Sequence, residues 1–207
     1  MATNPSRAAV LASRAAWAIG IVSALVATLS TGHARAAAYP SSVPRTSAAS
    51  CPDSDLRPTP ANASRVETAT LCLVNVQRAR HGERALRPNP DLARSAAHHS
   101  EDMVSADYFD HVSPNGETPL DRIKASTYLP RGSPFLLGEN IALGTLQLST
   151  PAAIVARWMK SAGHRANILN AEFRDSGIGV VARAPSRYAN GQPGATYTQQ
   201  FGAIASR

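Results

Sequence analysis

The stretch SGIGVVARAPSRYANGQPGATYTQQFGAI, residues 176–204, decides the fold. Its two ends, SGIGVVARA and ATYTQQFGAI, are rich in β-branched and aromatic residues. Between them lie Pro185, Asn190, Gly191, Pro193 and Gly194, the residue types that turns require. The pattern reads as an antiparallel hairpin, with Tyr197, Gln199 and Phe201 on one face of its second strand. Further back, ENIAL at residues 139–143 reads as another short strand.

The sequence before and between these strands has helical spacing. Val66, Ala69, Leu73 and Val76 mark a first helix that stops near Gly82, with Ser64 and Glu67 set as a capping box. NPDLARSAAHHSEDMVSADY opens a second, with Asn89 as cap, Pro90 in the first turn and Asp91 at the positive end. TPLDRIKAS and TPAAIVARWMKSAG repeat the device with Thr118–Pro119 and Thr150–Pro151. Ile154, Val155 and Trp158 give the last helix its buried stripe, and Gly163 is read as ending it in a left-handed conformation. Helices first and strands last argue for an α+β domain.

The N-terminus has a different character. Residues 1–14 carry Arg7 and Arg14 and no acid. Residues 15–29 are uncharged and apolar, and Ala34-Arg35-Ala36 offers a small-x-small cleavage site. This reads as a signal peptide over residues 1–36, since the apolar run is shorter than the ~20 residues that span a bilayer. Residues 37–63, rich in Pro, Ser and Ala, read as a disordered or extended leader held only by Cys51, and 64–207 as the folded domain. The expected location is outside the cell, with no transmembrane span after cleavage. In an oxidising compartment Cys51 and Cys72, the only two cysteines, read as one disulfide; the alternative is two free thiols. The formal net charge of +7 includes Arg7, Arg14 and Arg35 of the removed segment. The remaining basic residues are scattered, so nucleic acid is not an expected partner.

Three residues stand out for chemistry. His111 sits in the loop YFDHVSPNG. Glu139 lies in LLGENIALG among apolar neighbours, where a carboxylate needs a partner. His164 follows Gly163 in WMKSAGHRANILN. Two imidazoles and a carboxylate match the donor types of an open zinc site. Their wide spacing fits no local metal motif, and from the residues alone a structural role is preferred for each. His99 lies on the apolar stripe of its helix and reads as a satisfied core histidine.

FDHVSP, GENIA, GHRANILN and SGIGVV, in that order, resemble the CAP superfamily of cysteine-rich secretory, antigen-five and pathogenesis-related-one proteins, in its bacterial secreted branch. The resemblance runs from about Leu71 to Gly202. It implies a three-layer α-β-α sandwich with a small antiparallel sheet between helices, and a cleft in which His111, Glu139 and His164 bind a divalent cation such as zinc. Ser161 stands where eukaryotic members carry a second glutamate. A small apolar ligand or a component of the cell envelope is the implied partner. The alternative implied activity is a metal-assisted hydrolase acting on peptide or envelope material, with Glu139 as base.

Overall fold

The computed structural model describes residues 51–205. The signal peptide read at residues 1–36 and most of the leader lie outside them. The described chain runs α1 (Ala63–Arg80), β1 (Arg87–Pro88), α2 (Pro90–Ser105), α3 (Pro119–Ala125), β2 (Phe135–Thr145), a 3-10 turn, α4 (Pro151–Lys160), α5 (Ala162–Leu169), β3 (Asp175–Val181), α6 (Ser186–Ala189) and β4 (Gly194–Ile204). The four strands form one sheet in the order β1-β3-β4-β2. The predicted hairpin is present, since β3 and β4 pair antiparallel, and β4 pairs antiparallel with β2 in turn. The small antiparallel sheet carries one parallel addition. β1 joins β3 in parallel, and only over two residues, because Pro88 within it and Pro90 just beyond it lack the N–H that a longer ladder needs.

Alternation along the strands sorts the layers. On one face Ile178, Val180, Tyr197 and Phe201 pack with Val66, Leu73 and Val74 of α1, Trp158 of α4 and Ile168 of α5. Each such side chain contributes about 1.5–3 kcal/mol when fully buried. The other face presents Gly177, Gly179, Thr198, Gln200 and Glu139 to α2 and α3. Here α2 approaches so closely that backbone meets backbone. Ser100 ties the layers together by hydrogen bonds to Gly179 O at 3.0 Å and Thr198 Oγ1 at 2.9 Å. This is the α-β-α sandwich.

The helix caps at Asn89, Thr118 and Thr150 form as the sequence indicates, and Thr118 makes a full capping box with Asp121. The box read at Ser64 does not form. The helix starts two residues earlier, with Asn62 at the cap position, and Glu67 instead accepts the Val180 N–H across the layers at 3.1 Å. A competing long-range partner outweighs the local cap. The disulfide joins Cys51 to Cys72. Closing a loop of this length contributes roughly 3 kcal/mol in chain-entropy models. The segment from Cys51 to Asn62 is held by more than the disulfide. Leu56 packs on the core, Ala152 donates to Ser54 O at 2.9 Å, and Arg65 pairs with Asp53.

Candidate functional site

Glu139 stands on β2 directly opposite Gln200 of β4, on the face covered by α2 and α3. Its carboxylate is almost fully buried, with a side-chain exposure of 3%. A buried charge needs compensation. Arg122 of α3, whose side chain is 0% exposed, supplies it at 3.1 Å from Oε2. Gln200 Nε2 donates to Oε2 at 2.6 Å. His111 Nδ1 meets Oε1 at 2.7 Å. Arg122 also donates to His111 O at 2.8 Å and Glu117 O at 3.1 Å, so one guanidinium fixes both the loop and the acid beneath it.

His111 is the exposed end of this network, with a side-chain exposure of 46%. The hydrogen bond to Glu139 raises its pKa above the usual imidazole value, against the opposing effect of burial. His164 lies in the first turn of α5, half-buried. Burial lowers its pKa, and the neighbouring His111 lowers it further. The two imidazoles therefore titrate on opposite sides of the usual value of about 6.5. In side-chain NMR titrations, His111 is expected above His164, and Glu139→Gln to return His111 toward the ordinary range. Coincident titration in the native protein would contradict the arrangement. The linkage follows in sign. His111 has a raised folded pKa, so its contribution to stability is complete below about pH 6.5 and is lost as pH rises through that folded value.

The helix break that presents His164 differs from the sequence reading. α4 ends at Lys160, and Ser161 turns the chain by adopting an extended conformation (φ −86°, ψ 125°). Gly163 lies inside α5. The break is made two residues earlier than expected, and α5 is then locked to the sheet by amide pairs. Asn140 Nδ2 donates to His164 O at 3.2 Å, and Asn167 Nδ2 donates to Asn140 Oδ1 at 2.9 Å. Ile168 is fully buried beneath, and Arg165 reaches back to Met159 O at 3.3 Å.

The CAP model, described as the cysteine-rich secretory protein family, matches residues 71–201. The chain belongs to the cysteine-rich secretory protein family. It is 36% identical over 142 residues to the uncharacterized protein YkwD of Bacillus subtilis (strain 168), covering 69% of this chain and 49% of that protein. It is 36% identical over 114 residues to the uncharacterized membrane protein YlbC of the same organism, covering 55% of this chain and 31% of that one. The chain thus spans about half, or less, of the relatives it matches. Among solved structures, an extracellular SCP-domain protein from Bacillus anthracis aligns with TM-score 0.55 and 31% identity, over 72% of this chain and 44% of that one. An outer surface protein of Borrelia burgdorferi aligns with TM-score 0.52 at 17% identity, over 65% and 90%. At that identity it bears on the fold alone.

All three residues singled out in the sequence lie within the family match. The structure joins His111 to Glu139 directly and sets His164 close enough to feel the charge on His111. Among the described residues no three His, Cys, Asp or Glu side chains are grouped to hold an ion. The reason is visible at Glu139, whose two oxygens already accept from His111, Arg122 and Gln200. Arg122 and Gln200 were not singled out in the sequence. The one available signal was the carboxylate itself, which required a buried cation somewhere. His99 is buried as expected and half satisfied, with Tyr108 Oη 3.4 Å from its Nδ1. Its Nε2 has no hydrogen-bond partner among the described residues and stands 3.9 Å from Glu139 Oε1. Burial lowers its pKa to about 4, so it is neutral.

Beside this network lies a hollow of about 390 Å³. Phe109, Trp158 and Tyr188 give it apolar walls, while Arg157 and His164 mark its polar end. Among the described residues no Asp or Glu lines it.

Proposed function

We propose that this domain is an extracellular binding module that takes a small, largely apolar ligand with an acidic end in the hollow beside His164. The observation that carries the reading is the polarity of that hollow. Its walls are aromatic and aliphatic, and its charged lining residue is the cation Arg157, which donates to the carbonyl of Leu143 and has no carboxylate partner among the described residues. The residue is exposed, so its remaining N–H groups are open to an anionic group through a charge-assisted hydrogen bond. The extracellular setting is supported by the signal-peptide pattern of residues 1–36 and by the relative from Bacillus anthracis, an extracellular protein. No helix among the described residues is long and apolar enough to cross a membrane.

A divalent cation, zinc foremost, would rest on His111 and His164 alone, because Glu139 is committed to its own partners. A metal-assisted hydrolase has less support. A general base needs a free lone pair near water, and Glu139 is buried against a guanidinium.

Binding of sodium decanoate and decanamide, followed by ¹⁵N NMR, tests the reading. Decanoate is expected to move resonances of Trp158 and His164. Decanamide should bind about tenfold more weakly, the equivalent of ~1.4 kcal/mol. Equal binding of the two, or perturbations elsewhere, would remove the acidic end from the proposal. Calorimetric titration of zinc into the native protein and His164→Ala decides the cation: uptake unchanged by the substitution excludes His164 as a ligand.

A further inference from the structure

Strand β2 lies at the edge of the sheet, so one row of its backbone groups has no neighbouring strand. The register says which row. In an antiparallel pair, residues alternate between those that bond across the pair and those whose N–H and C=O point away. The bonds just beyond the two ends of the ladder, Leu146 N to Pro193 O at 2.9 Å and Ala205 N to Pro134 O at 3.0 Å, put the even-numbered residues of β2 in the first class. Glu139, Ile141 and Leu143 therefore direct both backbone groups outward.

Their carbonyls are all met from the helical layer. Asn167 Nδ2 donates to Glu139 O at 3.0 Å, Trp158 Nε1 to Ile141 O at 3.1 Å, and Arg157 Nη2 to Leu143 O at 2.6 Å. The N–H groups of Ile141 and Leu143 meet no acceptor among the described residues. Both residues line the hollow beside His164. A sheet edge that has its acceptors covered and its donors open is selective. Unmet backbone donors in a largely apolar wall call for an acceptor from outside.

We infer that the hollow holds an extended peptide with a free C-terminal carboxylate, its carbonyls two residues apart accepting from the Ile141 and Leu143 N–H groups and its carboxylate meeting Arg157. This rests on the acidic-ligand reading above and names the ligand class. The two donors are one strand repeat apart, about 7 Å, which is the spacing of carbonyls i and i+2 in an extended chain. A fatty acid offers a single head group and leaves one donor unmet. Arg157 sits at the Leu143 end and brings the remaining donors of its guanidinium to the terminus. Strand addition at a sheet edge draws affinity from such main-chain bonds, with side chains sorted by the adjoining pockets. Phe109 and Tyr188, in edge-to-face contact at 6.1 Å, form that adjoining wall here.

The probe is N-acetyl-Ala-Leu-Ala-Leu with a free carboxylate, added to the ¹⁵N-labelled protein. The Ile141 and Leu143 amide resonances are expected to shift downfield and their hydrogen exchange to slow. The C-terminal amide of the same peptide should bind about tenfold more weakly, and Arg157→Ala should bind both forms alike. Unmoved Ile141 and Leu143 amides, or equal affinity for acid and amide in the native protein, overturn the inference. If the peptide fails while decanoate occupies the hollow, the peptide is wrong and the acidic-ligand reading stands. If neither binds there, both fall.

Discussion

Arg122→Met is expected to lower the free energy of unfolding by about 3–5 kcal/mol, the range for removing one partner of a buried ion pair. Methionine fills much of the same space, so the loss reports charge rather than a cavity. The guanidinium is 0% exposed and is the cation against Glu139, while its other N–H groups hold the carbonyls of His111 and Glu117. Without it, Glu139 keeps a half-exposed imidazole and an amide, and neither matches a buried permanent charge. Adding Glu139→Gln to the Arg122→Met protein should restore part of the loss, because the uncompensated charge disappears. Urea unfolding of the two single variants and the double variant measures this directly. A loss below about 1 kcal/mol, with no recovery in the double variant, would mean that Glu139 is hydrated or neutral in the native state.

That pair also shows where sequence reading reached its limit. Glu139 was legible because a carboxylate among Leu137, Gly138, Ile141 and Ala142 announces its own burial problem. Arg122 was not, because on the short helix TPLDRIKAS an arginine next to Ile123 looks like any solvated residue. Its direction depends on how α3 docks, which no local pattern encodes. The hairpin and the three polar caps were readable, since turn chemistry and periodicity are local, whereas the layering was implied only by the family resemblance. The failures involve competition between local and distant partners. Glu67 had a cap within reach and took Val180 N instead, and the chain broke at Ser161 because Asn140 and Asn167 fix α5 from outside. The two-residue parallel strand β1 was too short to leave a pattern at all.

Two glycine-to-alanine changes, chemically identical, should move stability in opposite directions, and the contrast tests how α2 is seated over the site. A Cβ on Gly179 would lie 2.1 Å from Ala97 N and 2.4 Å from Ala96 C. These are helix backbone atoms held by their own hydrogen-bond ladder, so no flexible side chain can yield. Either α2 moves away from the sheet by more than an ångström, or β3 distorts. Overpacking typically costs 1–3 kcal/mol, and a backbone contact belongs at or beyond the upper end, so Gly179→Ala should lose roughly 3 kcal/mol or more. Because α2 carries His99 and Ser100, the same displacement should loosen the layer over Glu139 and bring the His111 titration back toward the ordinary imidazole range. Gly163 is the counterpart. It lies within α5 with nothing inside 4 Å of a new Cβ, so alanine there should stabilise by about 0.5–1 kcal/mol through helix propensity. Thermal and urea unfolding of both variants, with the His111 titration as the second readout, separates the outcomes. If Gly179→Ala were as stable as the native protein with His111 unmoved, α2 would not be resting on β3 as described. If Gly163→Ala were destabilising, the turn before His164 would need the glycine that the sequence reading first gave it.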